Sequence, residues 1–266
     1  MSLSDLKTAG YTVIPGFLTS TELNILKKEF AVIKHAPNKN YSLKHSAIAK
    51  SLLGEKVMSL SKDVEKIANL KIDILMHTVL YTDTEHVNFG WHQDHESQYV
   101  FQQSLNHLNF YIPIIKPNPN KSGLSVIPMD LLEQQIGSEI NNFIGSAAKK
   151  FFVHNDVTFV QDDETGKKYN IPVNIETIAV TPDLLPGDLL LIRGDVIHKT
   201  QDCDTRRVAI SIRAIEDSTI NRTKLFSGCD EKKQYIKNNH RYYDTIERIF
   251  ESKNTENILA SDIKIK

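Results

Sequence analysis

Four apolar residues in a row, Leu189-Leu190-Leu191-Ile192, follow the turn Pro186-Gly187-Asp188. A short apolar run bounded by turn residues reads as a buried strand. Just beyond it lies His198, and about a hundred residues earlier stands Trp91-His92-Gln93-Asp94-His95-Glu96-Ser97. With residues 89 to 95 extended, the side chains of His92 and Asp94 leave the same face of one strand and can grip one ion. His198 is the best supplier of a third ligand. Two imidazoles and a carboxylate on one side of an octahedron describe the facial site typical of non-haem Fe(II), with three positions open for substrate, cosubstrate or oxygen. The bland alternative makes His92 and Asp94 a hydrogen-bonded loop pair and His198 a core or turn histidine. It does not explain why all three sit beside apolar strands. By the same alternation His95 points away from the other two, toward a supporting, substrate-contacting or surface role.

Composition narrows the function classes. A net charge of −1 over 266 residues gives no global pull toward nucleic acid or an anionic membrane. Cys203 and Cys229 are too few for a disulfide framework and are not spaced like a zinc pair, which suits a reducing compartment. The N-terminus shows no basic segment followed by an apolar core, and no apolar run approaches the roughly 18 to 20 residues that span a bilayer. The expectation is a soluble cytoplasmic protein acting on a small molecule, with no nucleic-acid or membrane partner; oligomeric state is not fixed.

In chain order, residues 4 to 8 read as a short helix and Tyr11 to Phe17 as a short strand. A helix follows, capped by Ser20 or Thr21, with Leu23, Leu26, Phe30 and Ile33 at helical spacing. Two further helices are expected at about 46 to 60 and 62 to 70. From Ile72 the texture turns to β, and Leu105 to Ile115 alternates so that His107, Asn109 and Tyr111 share one face while Leu108, Phe110 and Ile112 share the other. One of those faces should look into the site. Another short strand opens at Gly123. The interval of about 129 to 184 holds a helix near 130 to 136 and a hairpin turning at Asp162 to Gly166; its length suggests a lid or substrate wall. Arg207 to Arg213 alternates cleanly, with Arg207, Ala209, Ser211 and Arg213 on one face and Arg206 on the other. From about 216 the tail is polar, with a helix over Tyr235 to Phe250. No repeat or linker divides the chain, so residues 1–266 are expected to form a single domain.

Many short strands with turn signals, flanking helices and ligands at strand ends predict a mainly β fold, a double-stranded β-helix of the cupin-like jelly-roll kind. The ordered pieces Gly10 to Leu18 before a helix, Trp91-His92-Gln93-Asp94, Pro186-Gly187-Asp188, His198-Lys199-Thr200 and Arg207-Val208-Ala209-Ile210-Ser211 resemble the signatures of the phytanoyl-CoA dioxygenase family of Fe(II)/2-oxoglutarate-dependent oxygenases. The resemblance spans about residues 8 to 214. It implies that Fe(II) is chelated by 2-oxoglutarate as cosubstrate, that O2 is consumed, and that Arg207 holds the distal carboxylate, since guanidinium matches carboxylate bidentately. Thr200 matches a position where the family often carries a hydroxyl near the cosubstrate. Arg213 is the rival to Arg207, or meets an anionic substrate group.

Two departures stand out. Where the family often has a cosubstrate-binding lysine, near the end of the strand before the metal loop, this chain reads Leu80-Tyr81-Thr82, which leaves Asn109, Tyr111 or His77 to take the polar role. The interval from His198 to Arg207 is also slightly shorter than in the family. The function implied is hydroxylation of an unactivated C–H bond in a small hydrophilic metabolite. Asp94 argues against halogenation, since the halogenating relatives replace this carboxylate by a small residue to admit chloride. Substrate contacts are expected from Arg213, His95 and His77. The rival readings are a cupin-type metal enzyme that does not use 2-oxoglutarate and a non-catalytic jelly-roll binding module.

Overall fold

The structure is a computed structural model. It describes residues 2–31, 41–42, 47–82, 89–121, 123–201 and 207–263, and the side chains of all of these except 41–42, 47–50 and 75–82. The first part of the chain forms α1 (Asp5–Thr8), β1 (Tyr11–Ile14), α2 (Ser20–Ala31), β2 (Tyr41–Ser42), α3 (Ala47–Ala68) and β3 (Ile74–Thr82). The middle contributes α4 (His95–Tyr99), β4 (His107–Ile115), β5 (Leu124–Val126), α5 (Met129–Ile136), β6 (Lys149–His154), β7 (Val157–Asp162) and β8 (Lys168–Ile171). Then come β9 (Leu189–Arg193), β10 (His198–Thr200), β11 (Val208–Ile215), β12 (Thr219–Asn221), α6 (Arg222–Phe226), α7 (Asp230–Asn238), α8 (His240–Lys253) and β13 (Asn257–Leu259).

Two antiparallel sheets face each other. The first has the order β1-β9-β4-β11-β3-β2. The second is assembled from shorter pieces: β5 pairs with β10, His92 bridges both His198 of β10 and Lys150 of β6, and β6 continues through β7 to β8. This is a double-stranded β-helix of the cupin-like jelly-roll kind, the mainly β architecture with flanking helices that the strand pattern predicts.

Alternation explains why the central strands are buried along their whole length. Leu108, Phe110 and Ile112 of β4, Leu189 and Leu191 of β9, and Val208, Ile210 and Ile212 of β11 face Leu26, Phe30, Leu53, Val57 and Val64 of α2 and α3. Each such side chain, fully buried, is worth about 1.5–3 kcal/mol. Their neighbours Tyr111, Leu190, Ile192 and Ala209 turn the other way and meet Leu124, Val126, Phe151 and Val160 of the second sheet. The inner side of the first sheet is therefore the side on which a site can form.

Several expectations change. The helices expected at 46 to 60 and 62 to 70 are one helix, α3, because Ser61 Oγ donates to Val57 O at 2.8 Å and so stays inside the helix without an unpaired hydroxyl. The start of α2 is capped by Thr19 rather than Ser20 or Thr21: Glu22 N donates to Thr19 Oγ1 at 3.3 Å, and Glu22 Oε2 accepts from Thr19 N at 2.7 Å, a reciprocal box. Ile33 and Arg206 lie outside the described residues. The interval 129 to 184 extends the second sheet: β7–β8 is the hairpin expected to turn at Asp162 to Gly166, with Gly166 N donating to Asp162 O at 2.8 Å, and a further hairpin, β6–β7, turns at Asn155 and Asp156, both at positive φ (48° and 60°). The tail is not simply polar. Ile215, Ile220, Leu225, Tyr243, Ile246, Phe250 and Ile258 pack a core of their own, and the helix expected over Tyr235 to Phe250 is broken at Asn239 into α7 and α8. No helix among the described residues is long and apolar enough to cross a membrane.

Candidate metal centre

His92 and His198 are opposite members of one antiparallel rung. His92 N donates to His198 O at 3.0 Å and His198 N to His92 O at 2.9 Å, which places both rings on the same face with centroids 4.3 Å apart. Each ring is fixed the same way: His92 Nδ1 lies 2.8 Å from Gly90 O and His198 Nδ1 lies 2.9 Å from Val196 O. A carbonyl oxygen only accepts, so both Nδ1 atoms carry hydrogen and both Nε2 lone pairs are left for a ligand. They converge on Asp94: His92 Nε2 is 3.8 Å and His198 Nε2 is 3.7 Å from Asp94 Oδ1. These separations are too long for hydrogen bonds. They fall inside the roughly 4.4 Å that two ligands on opposite sides of one ion span at metal–ligand distances of about 2.2 Å. Among the described residues this is the group of histidine and carboxylate ligands whose atoms all lie within 4.8 Å of one another.

The local chain differs from the expected strand in one respect. The strand conformation around residues 91 to 93 pairs with β6 through Gln93 N to Lys149 O (2.9 Å) and Phe151 N to Trp91 O (3.0 Å), but α4 begins at His95. Asp94 is its flanking residue, with φ −59° and ψ 125°, and Ser97 Oγ donates to Asp94 O at 2.9 Å. Gln93 points to the opposite face, fully buried, where its amide donates to the carbonyls of Phe143 and Asp195. That anchor holds the backbone while leaving the ligand face open.

The protonation states favour a cation. Burial, and next the neighbouring His198, push His92 down to about 3, so its imidazole is neutral at physiological pH. Burial alone would raise Asp94, but His198, Arg213 and His92 outweigh it and hold the carboxyl below the usual carboxylate range. A neutral imidazole beside a carboxylate, with ligand atoms aimed at a shared point, suits a divalent ion of borderline softness.

The triad opens into a cavity of 710 Å³. Arg207, Thr200, Asn109, Tyr111, Arg213 and His95 all line it. His77 stands on β3 opposite Arg213, but its side chain lies outside the described residues. Of the two faces of β4, the one bearing Asn109 and Tyr111 is the inner one. Arg207 is 2 % exposed and its Nη1 donates to Gly123 O at 3.1 Å. Thr200 Oγ1 accepts from Phe89 N at 3.3 Å. Arg213 donates to Ser211 Oγ, which donates in turn to Asn109 Oδ1, while Arg213 Nε stands 3.8 Å from Glu96 Oε2. His95 is held by Asp163 at 2.8 Å and stacks on Tyr235 at 5.0 Å, so it is not a fourth ligand.

Sequence reasoning missed part of the wall. Tyr235, Asn239, Tyr242 and Tyr243 reach the cavity from α7, α8 and their junction, and Lys150, Phe151 and Phe152 reach it from β6. The spacing 235, 239, 242, 243 marks one helical face, the signal from which the first group was detectable.

No family model matches the sequence, and no curated protein matches it. Solved structures do. The non-heme alpha ketoglutarate dependent epimerase SnoN from nogalamycin biosynthesis aligns over 81 % of this chain and 81 % of its own, at 14 % identity and a TM-score of 0.53. EvdO2 from Micromonospora carbonacea var. aurantiaca, complexed with 2-oxoglutarate, covers 80 % of this chain and 89 % of its own, at 13 % identity and a TM-score of 0.51. The non-heme alpha ketoglutarate dependent carbocyclase SnoK covers 82 % and 84 %, at 12 % identity and a TM-score of 0.51. At these identities the finding is a shared fold.

Proposed function

We propose that the protein is an Fe(II)- and 2-oxoglutarate-dependent dioxygenase of the phytanoyl-CoA dioxygenase type that hydroxylates an unactivated C–H bond of a small hydrophilic metabolite. The observation that carries this reading is the His92–Asp94–His198 triad, its Nε2 atoms freed by Nδ1 bonds to backbone carbonyls, opening into a cavity that also holds Arg207. The fold shared with SnoN, EvdO2 and SnoK supports it. When bound, Fe(II) and 2-oxoglutarate with O2 supply the oxidant that removes the hydrogen and returns hydroxyl.

The chain's own residues do the positioning. His92, Asp94 and His198 hold the metal by one side and leave the cavity side free. Arg207 offers the guanidinium fork that binds a carboxylate bidentately, and Thr200 lines the same cavity with a hydroxyl. Asn109, Tyr111 and Arg213 form the inner wall, Arg213 being placed to meet an anionic group on the substrate. Tyr235, Tyr242 and Tyr243 close the cavity against water with bulky side chains carrying polar tips. Residues 1–266 act in this reading as one catalytic domain in the cytoplasm, with β6–β8 and the tail as substrate walls.

Anaerobic titration of metal-free protein with Fe(II) and then 2-oxoglutarate tests the proposal, read by the visible charge-transfer absorption of the chelate. Wild type develops the band, and Arg207→Ala needs at least tenfold more 2-oxoglutarate to reach it. Metal binding without any band would favour the cupin-type enzyme that does not use 2-oxoglutarate, and absence of metal binding would favour the binding module.

A further inference from the structure

His95 lines the cavity one residue after the ligand Asp94, and its hydrogen bonding decides what it offers there. Its Nε2 lies 2.8 Å from Asp163 Oδ2. The same carboxylate takes Lys150 Nζ on Oδ2 at 2.7 Å and accepts from Gln161 Nε2 on Oδ1 at 2.7 Å. Burial alone would raise the Asp163 carboxyl, but the bonds from His95, Lys150 and Gln161 outweigh it and bring it down to about 2. An ionised carboxylate only accepts, so His95 Nε2 carries hydrogen. In the neutral ring Nδ1 is then an acceptor with a free lone pair.

That acceptor has no partner inside the protein. Among the described residues Nδ1 makes no hydrogen bond, and it is not one of the buried polar atoms sealed away from solvent. His95 belongs to the cavity lining and Asp163 does not, so the bonded side of the ring turns away from the cavity. The ring is clamped against rotation: it stacks on Tyr235 at 5.0 Å and 9°, and Tyr99 meets it edge-on at 5.4 Å. Asp163 is anchored in turn. It is 3 % exposed, and its carbonyl accepts from Tyr99 Oη at 2.6 Å and from Cys229 Sγ at 3.0 Å, which ties the β7–β8 turn to α4 and to the start of α7. A carboxylate on one ring nitrogen is the means by which a protein sets the role of the other.

We propose that His95 is a substrate-recognition residue whose Nδ1 accepts a hydrogen bond from a hydroxyl or amine of the substrate, and that Asp163 is the positioning residue that keeps Nδ1 an acceptor. Phe151, Phe152 and Tyr242, which line the same cavity, take the adjoining carbon skeleton. The inference rests on the oxygenase reading of the cavity and names the substrate class within it, an alcohol or an amine. A molecule that offers only acceptors at this point leaves the Nδ1 lone pair unmatched and is rejected.

The test uses metal-free full-length protein at pH 8, with nitrogen-15 NMR of the His95 ring and the fluorescence of Trp91, the chain's one tryptophan, which lines the cavity. The probes are cyclohexanol, cyclohexylamine and, as the molecule without a donor, methoxycyclohexane. In wild type the ring carries its hydrogen on Nε2, and the Nδ1 resonance moves with at least one donor probe, which binds about fivefold or more tightly than the ether. The better of the two donors tells hydroxyl from amine. His95→Phe loses that preference. Asp163→Asn loses it as well while keeping the main-chain bonds of residue 163: Gln161 holds the amide oxygen, the amide NH2 turns to His95, and the hydrogen moves to Nδ1. A merely structural pair would change neither the tautomer nor the preference. Hydrogen on Nδ1 in wild type, no movement of Nδ1 with either donor, an ether bound as tightly as both donors, or an unchanged tautomer in Asp163→Asn overturns the proposal; should Asp163→Asn not fold, wild type and His95→Phe decide. The Fe(II)–2-oxoglutarate charge-transfer band of wild type is recorded separately. Its absence with the donor preference intact overturns the oxygenase reading, whereas a band without the preference overturns this inference alone.

Discussion

His92 is neutral in the folded protein down to about pH 3, whereas an unfolded histidine titrates near 6.5. Below 6.5 the unfolded chain binds a proton that the folded protein refuses. The stability contributed by this depressed group is therefore present above the unfolded value and is lost as pH falls toward 3. Between pH 7 and pH 5, protonating one ordinary histidine in the unfolded state alone removes about 2 kcal/mol. The side chain is 21 % exposed, and solvent screening brings the expected loss to about 1.5 kcal/mol. Urea unfolding of the metal-free protein at the two pH values measures it, with His92→Gln beside wild type. The difference in stability between pH 7 and pH 5 should be smaller in His92→Gln by about 1.5 kcal/mol. Equal pH dependence in the two proteins would refute the claim that burial keeps His92 neutral. The same neutrality means that a metal ion arriving at pH 6 displaces no proton from His92.

Three further outcomes follow from named contacts. Arg193 and Asp195 form a buried two-point ion pair at 2.8 and 2.9 Å, and Asp195 also accepts from Gly145 N at 2.9 Å, so Asp195→Ala should cost about 3–5 kcal/mol in urea unfolding. Gly10 has φ 82°, and a Cβ there would stand 2.4 Å from Val196 Cγ2, two residues before His198; Gly10→Ala should lower the melting temperature and weaken Fe(II) binding together. Once a substrate is found, Tyr235→Ala and Tyr242→Ala should raise KM while leaving the Kd for 2-oxoglutarate unchanged, because both side chains line the cavity from α7 and α8 and neither belongs to the stretch that carries Thr200 and Arg207.

Much of this architecture was legible in the sequence where a local rule and the tertiary structure agree. The alternation of β4 and β11 and the apolar run of β9 placed the two faces of the first sheet. The spacing of His92 and Asp94, with His198 after a buried strand, placed the triad. Local rules gave less where the fold overrides them. The continuity of α3 depends on one serine bonding back to Val57 O, which periodicity does not reveal. The bulge at Ile114 reverses the side-chain pattern beyond it, so Ile115 joins Ile114 on the helix-covered face, which counting by twos along β4 does not foresee. The tyrosines of α7 and α8 show a helical face in sequence, but which cavity that face covers is decided by how the tail packs on Ile215 and Ile220.

The central claim is that His92, Asp94 and His198 together hold one metal ion. Anaerobic calorimetric titration of metal-free protein with Fe(II), in wild type and in His198→Ala, tests it most directly. The account predicts one site per chain in wild type and an affinity at least a hundredfold weaker in a folded His198→Ala protein, roughly 3 kcal/mol or more. Binding of Fe(II) by His198→Ala with wild-type affinity, or no binding by wild type, would contradict it.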